Sequence, residues 1–298
     1  MTSFSETSTE SLALEGLRKD SSRRRDIFNI IMTALSALCV AITLVPLVLV
    51  LAFVTIQGAG SLTPALFTEL PPPPGLDGGG IANAIIGTLI VVAIATVISV
   101  PFGVMAAVYL AEFSQDGPVA RWVRFFTNVL SGVPSIISGV FVYALLVRTG
   151  LTGYSAVAGG VALSVLMLPT IIRTTDEALN IIPQEIRWAS IGVGSSRYQT
   201  VLQIVLPAAI PSILTGVTLA IARAAGETAP LIFTALFSSF WPNGVLQPIA
   251  TLSVLVYNFA IVPFEPQQEL AWAGSLILVL LVLLTSIIAR VVTRQKTY

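Results

Sequence analysis

Apolar residues run along this chain in long blocks rather than alternating or forming narrow helical stripes. Six blocks reach the roughly 20 residues that a helix needs to cross a hydrocarbon core about 30 Å thick: 27–56, 81–110, 125–147, 154–172, 208–237 and 270–292. The pattern predicts an all-α, polytopic membrane protein with six transmembrane helices. Residues 1–26 are rich in Ser, Thr and charge, and Leu12, Leu14 and Leu17 are too sparse for a core, so they read as a mobile tail. Residues 27–298 read as one transmembrane domain.

Composition agrees with that class. The chain is 55% hydrophobic and 10% charged, where a soluble domain carries about a quarter charged residues. Arg23, Arg24 and Arg25 precede the first block, but its length exceeds the apolar core of a secretory signal, and further blocks follow. It reads as a retained anchor. Cys39 is the single cysteine and histidine is absent, which excludes an intrachain disulfide, a thiolate cluster, His-based triads and His metal sites. No metal or cofactor is expected.

Basic residues fix an orientation. With the N-terminus in the cytoplasm, Arg18, Lys19, Arg23, Arg24, Arg25, Arg121, Arg124, Arg173, Arg187, Arg197, Arg290, Arg294 and Lys296 all fall inside. Only Arg148 falls outside. The outer loops 57–80 and 238–269 contain no Lys or Arg, a strong positive-inside signal. Both termini are therefore expected in the cytoplasm. Within the first outer loop, residues 71–80 join a polyproline piece to a glycine piece and read as a connector.

Two ionisable residues interrupt the fifth block. Arg223 and Glu227 lie one helical turn apart, each costing about 2.5–3.5 kcal/mol at a helix centre on insertion scales. Arg223 stands about 15 residues into the block, around 22 Å along a helix. Such residues face a protein interior or a polar pathway. A guanidinium stays charged and presents parallel N–H groups to an oxyanion, while Glu227 would position it and moderate its attraction, so that a bound ion can leave. A buried ion pair that joins helices is the structural alternative. Arg173, at the end of the fourth block, fits a positive-inside anchor.

The third block carries Gly132-Val133-Pro134-Ser135 and Gly139. Two readings are open: a broken helix whose loose backbone offers N–H groups to an anion, or a proline kink with small residues for close packing. Gly159 and Gly160 in the fourth block read as packing residues.

Residues 173–207 form a connector of unusual length for a compact membrane protein. Thr174 to Glu177 fit a capping box, Pro183 suits the first turn of a new helix, and Ser196 to Gln199 fit a second box. Helix, turn and helix are predicted. Ile186, Ala189 and Val193 share a face beside Trp188, and such a face needs a partner. Gly192-Val193-Gly194 is no dinucleotide site, because no strand precedes it and the third glycine is missing. No Walker A sequence is present.

Ala189-Ser190-Ile-Gly-Val-Gly194, followed after nine residues by Ile204-Val-Leu206-Pro207, resembles the cytoplasmic signature loop of ABC importer permeases. That pattern reads Glu-Ala-Ala, three residues, Gly, nine residues, Ile-x-Leu-Pro. Trp188 occupies the Glu position and Ser190 the second Ala position. Arg223 to Leu231, Val133 to Ile136 with Gly139, and Pro169 to Arg173 are similar to phosphate-importer permeases of the PstA type.

The resemblance implies a type I ABC importer permease fold, with Arg187, Trp188, Ala189, Ser190, Gly194, Ile204, Leu206 and Pro207 in an ATPase coupling loop. It places Arg223, Glu227, Arg173, Pro134 and Ser135 on the substrate pathway. It further implies a second homologous permease, two copies of a cytoplasmic ATPase, an extracytoplasmic phosphate-binding protein and a bacterial inner-membrane location. This chain would catalyse nothing. A secondary anion transporter or channel working without an ATPase is the alternative; an intramembrane hydrolase fits poorly, because Arg223 beside Glu227 makes that carboxylate a weak base.

Overall fold

The computed structural model describes residues 23–114 and 117–293, and no strand occurs among them. The chain falls into two compact units, Met1–Phe53 and Val54–Tyr298. Most of the expected tail lies outside the described residues. Helix α1, Arg23–Ala59, begins in the first unit, takes in Arg23 to Asp26, and beyond them is predominantly apolar on every face.

The second unit continues with α2 (Pro64–Thr68) and α3 (Ala82–Val108), which widens into a π turn at Tyr109–Phe113. Next come α4 (Pro118–Gly132) and α5 (Ser135–Val142), the latter ending in a π turn at Tyr143–Val147, then α6 (Ala156–Asn180) and α7 (Gln184–Gly192). Helix α8 (Arg197–Thr200) passes through a π turn, Val201–Val205, into α9 (Leu206–Gly226). Three helices complete the unit: α10 (Ala229–Thr234), α11 (Leu252–Ala260) and α12 (Glu265–Thr293).

Five described helical segments are long and apolar enough to cross a membrane, and α4 with α5 makes a sixth if that bent pair counts as one span. The bend is 107°, which decides the third block in favour of a break. Val133 precedes a proline and is held extended at ψ 128°, and Pro134 itself has ψ 138°. Two consecutive extended residues end one helix and aim the next elsewhere.

Two expectations change. The block 208–237 is not one continuous helix: the helical run starts earlier, at Arg197, and stops at Gly226. Glu227 is extended at ψ 128°, so Arg223 stands in the last turn of α9, and Glu227 lies beyond the helix end. Gly226 and Pro230 bracket this second break. Nor do Thr174 to Glu177 cap a new helix, because α6 runs on to Asn180. The Thr174 hydroxyl instead donates to the Thr170 carbonyl at 2.9 Å, inside α6.

The core lies where α3 and α9 flank α6. Val91, Ala95, Leu163, Met167, Ile171, Ala209 and Val217 are buried there. Small residues let the backbones approach: a methyl on Gly103 would stand 2.7 Å from Ile171 Cγ2, and Gly160 is closed off by Ile94. A second cluster gathers Leu66 of α2, Leu252 and Leu255 of α11, and Ala273 and Ile277 of α12. Gly87 of α3 abuts the Ala250 carbonyl so closely that a Cβ would collide with its oxygen. Backbone cannot rotate away as a side chain can. Gly87→Ala is therefore expected to destabilise by at least the usual overpacking penalty of about 1–3 kcal/mol, read as a lower melting temperature of the detergent-solubilised protein.

Residues 71–80 are more than a loose connector. Buried Gln267 of α12 donates from Nε2 to the Pro73 carbonyl at 3.1 Å, while its Oε1 accepts from the Gly75 amide at 3.3 Å.

Candidate functional site

The break between α4 and α5 opens a cleft of about 200 Å³ against α6 and α9. Ser131 and Val133 line it from the break, Thr170, Arg173 and Thr174 from α6, and Arg223 from α9. Two arginines from separate apolar blocks thus share one concavity. Ser131 donates its hydroxyl to the Thr127 carbonyl at 2.8 Å, and Thr174 is committed to Thr170. Those two hydroxyl protons are taken, and the guanidinium N–H groups are the charged donors the cleft offers to an anion.

Each arginine keeps a carboxylate nearby. Arg223 Nε lies 3.6 Å from Glu227 Oε1, with the Arg side chain 67% exposed and the Glu 18%. Arg173 Nε donates to Glu177 Oε1 at 3.1 Å, both side chains being open. Glu227 is held from behind: its carbonyl accepts from the Ser253 hydroxyl at 2.9 Å, which fixes the break after α9. Arg223, in the final turn of α9, also offsets the negative end of that helix. Beside the cleft, Arg124 of α4 meets Asp176 of α6 at 3.4 Å.

Pro134 and Ser135 begin the far arm of the bend as N-cap and first residue of α5. They are not among the cleft's lining residues. Their effect is on the direction of the chain, and Gly139 one turn later lets α5 approach α10, where a Cβ would stand 2.5 Å from Pro230 Cα.

The helix–turn–helix predicted over the long connector is present as α7 and α8. Gly194 turns the chain at φ +96°, its amide donating to the Ile191 carbonyl at 2.9 Å. Ser196 and Gln199 then form the expected reciprocal capping box of α8. Pro207 has no N–H to give to the turn before it, and the chain widens into the π turn Val201–Val205, where the Leu206 amide reaches the Val201 carbonyl.

The face of this unit is apolar and open: Ile186, Trp188, Ile191 and Val193 are exposed, with Ala189 and Pro207 also at the surface and Ile204 and Leu206 half-buried. Arg187 and Ser190 point inward instead. Ser190 shares a 2.9 Å hydrogen bond with Thr200, pinning α7 to α8. Arg187 pairs with Glu112 at 2.6 Å. Glu112 was passed over in the sequence, although an acid just beyond the second apolar block was the available signal.

Several membrane-length helices, one of them a broken pair, make this a multi-pass membrane protein. The chain belongs to the family of binding-protein-dependent transport system inner membrane components, whose profile matches residues 99–298. It is thus a multi-pass inner-membrane transport component. It is 41% identical over 285 residues to a phosphate transport system permease protein PstA of Yersinia pestis, with 96% of each chain covered. It is 35% identical over 284 residues to PstA 1 of Mycobacterium tuberculosis (strain ATCC 25618 / H37Rv), covering 92% of this chain and 91% of that one.

Among solved structures, a chain of a bacterial alginate ABC transporter bound to an alginate-loaded periplasmic protein superimposes with a TM-score of 0.62 at 14% identity, over 94% of this chain and all of that one. A chain of the MetNI methionine ABC transporter gives 0.56 at 22% identity, over 72% of this chain and 93% of that one. These two likenesses establish the fold, that of ABC importer permease subunits.

Proposed function

We propose that this chain is the permease subunit of an ATP-driven inorganic phosphate importer and forms half of its translocation pathway. The carrying observation is the meeting of Arg223 and Arg173 in one cleft; the PstA relatives, similar along nearly the whole chain, supply the substrate. A phosphate entering a low-dielectric region needs compensating positive charge, and a guanidinium provides it with two parallel donors. Glu227 and Glu177 keep the net attraction modest, so the ion is released.

The distribution of basic residues supports cytoplasmic termini and a cytoplasmic α7–α8 unit. There the exposed Trp188, Ala189 and Gly194 turn would meet the ATPase, with Ile204, Leu206 and Pro207 carrying the motion into α9. A second homologous permease completes the pathway, two ATPase copies hydrolyse ATP, and an extracytoplasmic binding protein delivers phosphate. ATPase closure turns the pathway from inward-facing to outward-facing around the fixed cleft.

Co-purification with the ATPase, followed by phosphate uptake in proteoliposomes, tests this reading. Stoichiometric recovery of the ATPase and uptake that requires ATP are the expected results. Phosphate movement by this chain alone would overturn it in favour of a self-sufficient anion carrier.

A further inference from the structure

Glu112, at the π turn that ends α3, is 5% exposed, and the guanidinium it meets is almost as sequestered, Arg187 being 9% exposed. Arg187 Nη2 donates to Glu112 Oε1 at 2.6 Å, and Nε donates at 3.2 Å to both carboxylate oxygens. Its other contacts go to the main chain: Nη1 to the Ile182 carbonyl at 2.6 Å and Nη2 to the Leu179 carbonyl at 2.9 Å. Leu179 lies in the last turn of α6, its carbonyl also accepting from the Ile182 amide at 3.3 Å, and Ile182 belongs to the turn that leads on to α7. One guanidinium, carried by α7, therefore holds the end of α6 and grips α3.

A second arginine closes the same joint from the other side of the turn. Arg197 of α8 donates to the Glu112 carbonyl and lies 5.5 Å over the Phe113 ring, and Phe113 in turn packs on Tyr198 at 4.9 Å between centroids. Burying an ion pair is a poor way to gain stability, since apolar residues of similar size often serve as well. What such a pair does supply is direction and register.

We infer that the Glu112–Arg187 pair is the joint through which movement of the α7–α8 turn reaches the arginine cleft, both side chains acting as positioning residues for transport. The inference rests on the importer reading above. Force applied to the exposed face of α7 acts on the ends of α3 and α6 together. Those two helices are locked by the close approach of Gly103 to Ile171 and of Gly160 to Ile94. Helix α6 is also the wall that carries Thr170, Arg173 and Thr174. An apolar contact at the joint would let α7 roll against α3; a carboxylate gripped through several fixed N–H directions does not.

The test uses the complete importer in liposomes, with phosphate uptake and ATP hydrolysis measured in the same vesicles. Glu112→Gln keeps size and an acceptor oxygen but removes the charge, and Arg187→Lys keeps the charge but cannot reach the carboxylate and the Leu179 and Ile182 carbonyls at once. For both, ATP hydrolysis is expected to continue while phosphate moved per ATP falls by about tenfold or more. Assembled complexes with a wild-type ratio in both variants would overturn the inference. Should Glu112→Gln fail to assemble, Glu112→Asp, with its carboxylate drawn back by one methylene, decides: a ratio between the two extremes supports the joint, and a wild-type ratio refutes it. Absence of the ATPase from the wild-type complex would instead sink the importer reading, and that is seen before any variant is made.

Discussion

Arg223→Gln is expected to lower phosphate uptake by on the order of a hundredfold or more while the complex still assembles. Hydrogen bonds to charged groups are each worth about 1.5–3 kcal/mol, and a bidentate guanidinium supplies two of them together with the compensating charge. Glutamine retains polarity and much of the length, but neither the charge nor the fork. Assembly is expected to survive because the Arg223 side chain is 67% exposed and its ion partner stands at a loose 3.6 Å. Helix α9 packs through Ala209, Val217, Ala220 and Ala224, all untouched by the change. Initial rates of labelled phosphate uptake, set against recovery of the intact complex, measure the effect. Near-normal uptake by the variant would remove Arg223 from the pathway.

Gly194→Val should act at the opposite end of the mechanism. Gly194 sits at φ +96°, where a β-branched residue is strained by about 1–3 kcal/mol. Nothing lies within 4 Å of the position that its Cβ would occupy, so the penalty is in the backbone and not in a clash. The turn is expected to relieve it by reshaping, which displaces Ile191 and Val193 from the face they form with Trp188. Either the ATPase then fails to co-purify, or ATP hydrolysis proceeds with uptake reduced by about tenfold. Gly194→Asn, tolerated more readily at positive φ, should be the milder change. An unaltered ratio of uptake to hydrolysis in the valine variant would count against the docking role of this turn.

Long features were legible in the sequence and sharp ones less so. Each membrane-length block takes in a long helix or the bent α4–α5 pair, the fifth running on past its helix end at Gly226, because apolar length is a property that lipid enforces whatever the neighbours. The α7–α8 turn was legible because capping residues act locally. What periodicity could not supply was where a block stops being helical. The block 208–237 reads as one span, yet the carbonyl of Glu227 finds its partner in Ser253, a contact that forms only on folding. The same holds for Thr174, whose sequence context fits a cap but whose hydroxyl turns back into α6.

The site divides in the same way. Arg223 announced itself by its charge among apolar residues, and in the structure Arg173 lines the same cleft. Pro134 and Ser135 shape the bend, whereas Ser131 and Val133 line the cleft, a difference set by which way the chain leaves the break. Arg187 was grouped with the docking residues by its place in the motif. Its actual partner, Glu112, lies far away in sequence, and no local pattern links the two.

The grip of Gln267 on Pro73 and Gly75 gives the proline arm a mechanical character. A peptide tethered only at its ends absorbs a tug by straightening; this one is bolted midway to a transmembrane shaft. Load applied to the arm is delivered to α12 with little slack.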